Sequence, residues 1–213
     1  MKGDSALGIL VVVETNFAVG YCMEQGHDFR YLLSLTSKHP LTVAIPEYSL
    51  REAKTTVLGK FRDSYEQLSH TRVLLREIGR SEYARDLVDN ARTMLSGLVQ
   101  LLETKQDSLK QALNLIANRC IVIPHSPVAH VRGLMRYIGS EPPFKESDCE
   151  IYECILEFLR GEVDNYDHAI VLTFDKEHFD NVEIRDELAD IGVDLVFTVG
   201  DCIAMGRYAL GIT

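Results

Sequence analysis

The sequence predicts a three-layer α/β/α domain with a central, mostly parallel sheet and an inserted helical hairpin. Three observations support this class: short apolar segments recur along the chain, helical patterns separate them, and one long central stretch is helical throughout. Strands that are apolar on both faces are typical of a parallel sheet covered by helices on each side. With 213 residues the chain is long enough to bury a substantial core, and we expect a single domain over residues 1–213.

The first two strands are predicted from short, apolar, β-branched segments. Residues 7–14 (LGILVVVE) and 41–45 (LTVAI) have this composition. Residues 17–36 lie between them and carry an apolar side, which predicts one helix that ends at His39-Pro40. The chain therefore begins with a strand, a helix and a second strand.

A long helical hairpin is predicted after the second strand. In residues 80–102 the apolar positions recur at spacings of three and one, which is a single helical stripe. Gly79 ends the preceding helix, Ser81 is expected to cap the next one, and Asp107-Ser108 is expected to start a third. This helical insertion, residues 55–118, is expected to bury its stripe within the chain or against a second copy, so we expect a homodimer through it.

The C-terminal part returns to alternating strands and helices. Residues 119–124 are either a strand or an extended connector, and Ser147 with Glu150 has the spacing of a capping box at a helix start. The other predicted elements are helices at 127–138 and 184–191 and strands at 168–174 and 194–199.

The composition narrows the function classes. The 32 acidic and 22 basic residues give a net charge of −10, which disfavours nucleic-acid binding through a broad basic face. Nucleic acid would have to be held by a local basic patch or through bound cations. The first strand is followed by no GxGxxG, the chain has no P-loop, and it has no GxSxG nucleophile motif.

The cysteine pattern and the N-terminus predict a reduced, cytoplasmic protein. Five cysteines are scattered with no CxxC pair, which argues against a disulfide framework. Cys120, His125 and His130 are conceivable zinc ligands, but their spacing matches no zinc motif. The N-terminus lacks the pattern of a signal peptide, and no apolar run is long enough for a membrane helix, so no membrane association is expected.

Four acids are expected at one edge of the sheet. Glu14 and Asp175 follow apolar strands, while Glu52 and Asp148 lie near predicted helix starts. In a parallel sheet the strand ends and the following helix starts share one edge, so these carboxylates are expected to converge. Converging carboxylates repel unless a cation neutralises them, and oxygen-rich clusters select Mg²⁺ or Mn²⁺.

Each acid also has a simpler structural explanation. Glu14 is suited to cap the next helix, and Asp148 is favourable in a first helical turn because of the helix dipole. Asp175 is explained as a turn residue, and Glu52 as one charge on a solvated helix face. The joint position of the four acids favours the metal cluster over these separate explanations.

The chain resembles the PIN domain family of metal-dependent ribonucleases. Four stretches carry the resemblance, in the family's order: VVVETNF at 11–17, IPEYSLRE at 45–52, SDCEIYECI at 147–155 and VLTFDKEHF at 171–179. The loop EPPFKESD at 141–148 is similar to that of a subgroup with a long helical insertion. The resemblance implies hydrolysis of RNA phosphodiester bonds with one or two Mg²⁺ or Mn²⁺ ions.

The resemblance also implies a set of site residues. The catalytic and metal-binding carboxylates would be Glu14, Glu52, Asp148 and Asp175. The supporting residues would be Asn16, which orients Glu14, and Thr173, which supports Asp175. Lys145, Lys176 and His178 are further candidates for contact with phosphate, by proximity in sequence alone.

The sequence departs from the family at Glu14, where aspartate is usual. Glutamate is one methylene longer, and Mg²⁺ requires near-ideal octahedral geometry at about 2.0–2.1 Å. The alternative function is therefore a catalytically weak or inactive PIN-like module that binds RNA or a protein partner, because a fold does not by itself imply activity. An unrelated α/β phosphohydrolase ranks below both, because the first strand does not end in Asp-x-Asp.

Overall fold

The computed structural model describes residues 8–209, which form a five-stranded parallel sheet covered by helices. The strands are β1 (Ile9–Val13), β2 (Leu41–Pro46), β3 (Ile121–Ile123), β4 (His168–Leu172) and β5 (Val193–Val196), in the order β3-β2-β1-β4-β5. The helices are α1 (Thr15–Cys22), α2 (His27–Leu35), α3 (Glu47–Ile78), α4 (Arg85–Arg119), α5 (Pro127–Ile138), α6 (Glu146–Glu162), α7 (Lys176–Phe179), α8 (Val182–Ala189) and α9 (Val199–Ala209).

The central strand β1 supplies side chains to two separate cores. Ile9, Val11 and Val13 pack with α1, α2, α9 and the inner ends of α3 and α4. Leu10 and Val12 pack on the opposite face with α6 and α8. The alternation of side chains along a strand makes this division, and it explains why β1 is apolar at every position. The predicted three-layer α/β/α class is confirmed.

The first predicted helix is wrong in its continuity, because residues 17–36 contain a break. The chain turns between Cys22 and His27, with Glu24 at a positive φ of 55°. Gly20 permits the turn to close: a Cβ atom there would lie 2.5 Å from Cζ of Phe29, so the ring of α2 packs directly on the backbone of α1. The periodicity of the apolar residues continues across this turn, which is why it predicts one helix.

The predicted restart at Asp107-Ser108 is also wrong, because α4 continues through it to Arg119. The Ser108 hydroxyl donates to the carbonyl of Lys105 at 2.9 Å, so it bonds within the helix and caps nothing. Within residues 119–124, for which the sequence allows a strand or a connector, Ile121–Ile123 form the edge strand β3, which pairs with β2 in parallel. Ser81 makes no side-chain capping bond.

The hairpin of α3 and α4 packs on the sheet only at its inner end. Ala53, Val57 and Phe61 of α3 join the core together with Leu109 and Ile116 of α4. Further out, much of the predicted apolar stripe of α4 is exposed, at Leu87, Met94, Leu98 and Leu101. The predicted homodimer would cover this stripe, and it stays a prediction. None of the helices among residues 8–209 is both long and apolar enough to cross a lipid bilayer.

A buried ion-pair network fixes α5 against α6. Arg136, which is 7% exposed, donates from Nε to Glu153 at 2.8 Å and from Nη2 to Glu187 at 2.8 and 3.0 Å. Its Nη1 donates to the carbonyl of Pro142 at 2.9 Å, and Tyr152 donates to Glu187 at 2.9 Å. The guanidinium therefore joins α5, α6, α8 and the loop before α6.

We expect Arg136→Met to lower the free energy of unfolding by about 3–5 kcal/mol, because it leaves Glu153 buried without its cation. Arg132→Met is the matched control, since Arg132 lies one turn earlier on α5 and is exposed; its effect should be within about 0.5 kcal/mol. Urea unfolding followed by circular dichroism measures both. Equal effects of the two substitutions would contradict the assigned role of Arg136.

The same two helices approach most closely at Gly133. A Cβ atom at this position would lie 2.6 Å from Cα and 2.8 Å from the backbone nitrogen of Glu150. Such contacts are with backbone, so a larger residue would have to push α5 and α6 apart. The glycine therefore sets the spacing of the two helices.

Gly133→Ala is expected to reduce the free energy of unfolding by about 1–3 kcal/mol through overpacking. The control is Gly97→Ala, in the middle of α4, where nothing lies within 4 Å of the added Cβ; alanine there should stabilise by about 0.5–1 kcal/mol. Thermal and urea unfolding give the comparison. A neutral or stabilising Gly133→Ala would show that the helices separate at little cost.

Candidate metal centre

Glu14 lies at the end of β1 and begins α1 as its N-cap. Its Oε2 accepts the backbone N–H of Asn16 at 2.7 Å. Because β1 and β4 pair with Val13 opposite Leu172, Glu14 lies beside the residues that follow β4. Its Oε1 accepts from the Thr173 hydroxyl and from the Phe174 backbone N–H, both at 3.4 Å. Glu14 is therefore a helix cap and, at the same time, a link between two strand ends.

The carboxyl group of Glu14 is almost fully buried, at 6% exposure. Burial is the main cause that raises its pKa from 4.5 to about 7, and the N–H groups of Asn16 and Phe174 oppose the rise. The charges of Asp148 and Asp175 raise the pKa further. The electrostatic effect of these two acids indicates that they lie near Glu14.

Asp148 lies in the first turn of α6, partly buried. Desolvation raises its pKa most, the Lys145 ammonium lowers it, and the charges of Asp175 and Glu52 raise it. Its Oδ2 is buried and has no hydrogen-bond partner among the described residues. Lys145 Nζ is the near cation, 3.7 Å from this oxygen, which is beyond hydrogen-bond distance.

Asp175 follows β4 and caps α7. Its Oδ1 accepts the His178 backbone N–H at 3.2 Å and lies 2.8 Å from His178 Nδ1. Its own backbone N–H donates to the Thr173 hydroxyl at 3.1 Å. Thr173, fully buried, therefore bridges Glu14 and Asp175 through one hydroxyl group.

Glu52 lies on α3 and joins the same edge of the sheet through α1. Its Oε2 accepts from the Thr15 hydroxyl at 2.5 Å, and its charge contributes to the raised pKa of Asp148. Ligand atoms of Asp148, Asp175 and His178 lie within 4.8 Å of one another. The structure thus brings the four predicted acids to one edge of the sheet, with Asp148 and Asp175 in the closest group.

The supporting residues differ in how they reach this edge. The Asn16 side chain is exposed, and the contact with Glu14 comes from its backbone N–H. Lys145 lies between two acids, 3.7 Å from both Asp148 and Asp175. Lys176 lies 3.8 Å from Asp180 and over the Phe197 ring. Its ammonium therefore pairs with Asp180 and not with one of the four predicted site acids.

These residues fit a hard divalent cation. The donors are carboxylate oxygens, one of which is buried without a hydrogen bond, and the Lys145 ammonium lies near two of the four acids. Oxygen ligands of this kind suit Mg²⁺ and Mn²⁺. We refer to Glu14, Glu52, Asp148 and Asp175 as the acidic cluster.

The structure also forms a second group of potential ligands, His125, His130 and Glu150; the sequence analysis considered the two histidines with Cys120 and missed Glu150 as their partner. Ser147 and Glu150 were predicted to form a capping box, which is wrong: α6 begins at Glu146 with Lys145 as its N-cap, and no side chain caps it. Glu150 instead faces the two histidines. The pair of histidines five residues apart was the available signal, but their carboxylate partner comes from another helix.

The buried Glu14 carboxyl should make the metal-free protein less stable as pH rises. The folded state holds the proton to about pH 7, whereas the unfolded chain releases it near pH 4.5, so the stabilisation is complete below pH 4.5 and is lost through pH 7. The loss is roughly 3 kcal/mol. Urea unfolding in EDTA at pH 5 and pH 8 measures it.

Glu14→Gln should remove most of this difference, and Glu183→Gln, at an exposed position of α8, should leave it unchanged. If wild type and Glu14→Gln lost the same stability between pH 5 and pH 8, another group would be responsible.

The comparisons with known proteins are limited to fold. No protein-family model matches the sequence, and no curated protein matches it. The chain is similar to a chain of the crystal structure of VapBC2 from Rickettsia felis bound to a DNA fragment from their promoter. The similarity covers 88% of this chain and 97% of that chain, with 13% sequence identity and a TM-score of 0.43. This is a weak likeness of fold, from which no chemistry follows.

Proposed function

We propose that this chain is a ribonuclease that hydrolyses RNA phosphodiester bonds with Mg²⁺ or Mn²⁺ bound at the acidic cluster. The observation that carries the proposal is the convergence of Glu14, Glu52, Asp148 and Asp175 at the carboxyl edge of the sheet. The order of these acids along the chain is that of the PIN family, to which the sequence bears a resemblance. The domain would then be PIN-like, with residues 55–118 as an insertion.

The charges at this edge support a cation more than a structural role. The Lys145 ammonium lies near Asp148 and Asp175 only, and burial disfavours the charged forms of Glu14 and Asp148. Helix capping alone does not require the four acids to lie near one another, and their mutual repulsion disfavours such an arrangement without a cation. A divalent ion would stabilise all four charges together, which the Lys145 ammonium does for only two.

Asp148 and Asp175 would hold the ion, with Glu14 and Glu52 as further ligands directly or through water. When bound, the ion would supply an activated water molecule and neutralise phosphate charge. The chain's own residues orient the carboxylates. The Thr173 hydroxyl links Glu14 to the backbone of Asp175, and His178 Nδ1 contacts the Asp175 carboxylate at 2.8 Å.

Lys145 is the basic residue best placed to contact substrate. Its side chain is 56% exposed, and its Nζ lies between the carboxylates of Asp148 and Asp175. A phosphate that approaches the acidic cluster would meet this ammonium at the rim. The net charge of −10 is compatible with RNA binding only if such local cations and the metal supply the positive charge.

A specific observation also favours the alternative, a catalytically weak module that binds RNA or a protein partner. Glu14 is both a helix cap and a buried group with a pKa of about 7, so the metal-free site stays partly protonated at neutral pH. In that case the exposed apolar stripe of α4 would be the working surface, for a protein partner or for a second copy of the chain.

The decisive test is cleavage of an end-labelled structured RNA in Mn²⁺, Mg²⁺ or EDTA. We expect cleavage that requires the metal and falls by at least about a thousandfold in Asp148→Asn/Asp175→Asn, since metal-ion catalysis is worth several kcal/mol. The control Asp186→Asn/Asp190→Asn removes the same charge from exposed positions at the end of α8 and should cut at the wild-type rate.

Circular dichroism and urea unfolding should show that both double variants are folded. Metal-independent cleavage, or wild-type cleavage by Asp148→Asn/Asp175→Asn, would refute the proposed site. A folded wild-type protein that cuts none of several structured RNAs in either metal would leave the binding module as the better proposal.

A further inference from the structure

His125, His130 and Glu150 form a compact group apart from the acidic cluster, which we call the His-Glu triad. His125 Nε2 and His130 Nδ1 each lie 3.2 Å from Oε1 of Glu150. The three ligand atoms all lie within 4.8 Å of one another. The two rings stand at 60° with their centroids 5.9 Å apart, so both can present a nitrogen to one point.

The backbone around the His-Glu triad is fixed by contacts that do not involve its own side chains. Ser126 caps α5, with its hydroxyl accepting the N–H groups of Val128 and Ala129, and this cap separates His125 from the helix that carries His130. The Cys154 thiol donates to the carbonyl of Pro124 at 3.7 Å, which holds the segment before His125 against α6.

The helix that carries His130 is also fixed against the helix that carries Glu150. His130, Gly133 and Arg136 recur every three residues, so they share the face of α5 that packs on α6. Gly133 allows the backbones to touch at Glu150, and Arg136 locks the far end of the interface. The donors of the His-Glu triad are therefore held in place before any ligand arrives.

Glu150 differs from the neighbouring acid on the same face of α6. Glu153, one turn later, is neutralised by the Arg136 guanidinium at 2.8 Å. Glu150 is equally buried, at 8% exposure, yet among the described residues it has no lysine or arginine partner. A buried carboxylate requires compensation, and two imidazoles face it in place of a cation.

The two imidazoles approach Glu150 without the geometry of ordinary hydrogen bonds. Among residues 8–209, neither ring makes an aligned hydrogen bond to this carboxylate, whereas His178 makes one to Asp175 at 2.8 Å. Zinc ligands at about 2.0–2.2 Å in a tetrahedral arrangement lie about 3.3–3.6 Å from one another. The two nitrogen-to-oxygen separations of 3.2 Å are close to that spacing, and all three atoms lie within 4.8 Å of one another.

We propose that His125, His130 and Glu150 bind one transition-metal ion of the zinc class. Two imidazole nitrogens and one carboxylate oxygen suit Zn²⁺, Co²⁺ or Ni²⁺, whereas the all-carboxylate acidic cluster suits harder ions. Three protein ligands leave a coordination position open, and the side chains of His125 and His130 are 38% and 52% exposed, so this position faces solvent. The proposal does not depend on the nuclease function.

The test is titration of the purified protein with Co²⁺ in the presence of excess Mg²⁺, which would occupy the acidic cluster if that site binds metal. We expect one Co²⁺ per chain, visible as a d–d absorption band and displaced by one Zn²⁺. His125→Gln/His130→Gln should weaken Co²⁺ binding by about 100-fold or more, because even the loss of outer-shell partners costs about 10–100-fold. Circular dichroism verifies that this variant is folded, since both histidines are partly exposed.

Two controls separate the His-Glu triad from other ligands. His70→Gln removes an exposed histidine of α3 and should bind Co²⁺ as the wild type does. Asp148→Asn/Asp175→Asn should also keep the Co²⁺ band, even if it abolishes cleavage, so the two proposals fail independently. The inference is overturned if the wild type binds no Co²⁺, or if His125→Gln/His130→Gln binds it with unchanged stoichiometry and affinity.

Discussion

The burial of the Glu14 carboxylate is the constraint on which the carboxyl edge of the sheet depends. Glu14 follows the central strand β1. One of its carboxylate oxygens accepts the N–H of Asn16 in α1, and the other accepts the N–H of Phe174, which follows the neighbouring strand β4. The start of α1 and the turn before α7 are thereby fixed relative to each other. Because the chain buries a charge to achieve this, the raised pKa and the proximity of Asp148 and Asp175 are parts of the same arrangement.

Helix α6 places three acids in three different charge environments. Asp148 faces the acidic cluster and a lysine, Glu150 faces two histidines, and Glu153 faces a buried arginine. The last pair is structural, because every polar atom of Arg136 that the packing buries finds an acceptor in the fold. The first two lack such complete neutralisation. Helix α6 therefore carries one acid that is neutralised within the fold, Glu153, and two acids, Asp148 and Glu150, whose negative charge a bound cation would neutralise.

The sequence predicts most of the fold because the central strands β1 and β4 are largely apolar on both faces, and such strands are typical of a covered parallel sheet. The meeting of Glu14, Glu52, Asp148 and Asp175 follows from that topology alone. Contacts between helices are harder to foresee. Glu150 lies three residues after a serine, so local spacing favours a capping box, and only the close packing at Gly133 turns it toward His130. The turn near Glu24 and the unbroken α4 were missed because tertiary contacts, here Phe29 on Gly20, decide continuity where the periodicity does not change.

The length and anchoring of α3 have a mechanical consequence. Its 32 residues extend about 48 Å, and Glu52 lies about 8 Å from the start. Buried contacts at Ala53, Val57 and Phe61 hold only the inner half of the helix. If the helix pivots at its base, a displacement of about 5 Å at the outer end moves Glu52 by less than about 1 Å. The outer part of the hairpin can therefore bend, or change when a partner contacts it, with little displacement of Glu52 in the acidic cluster.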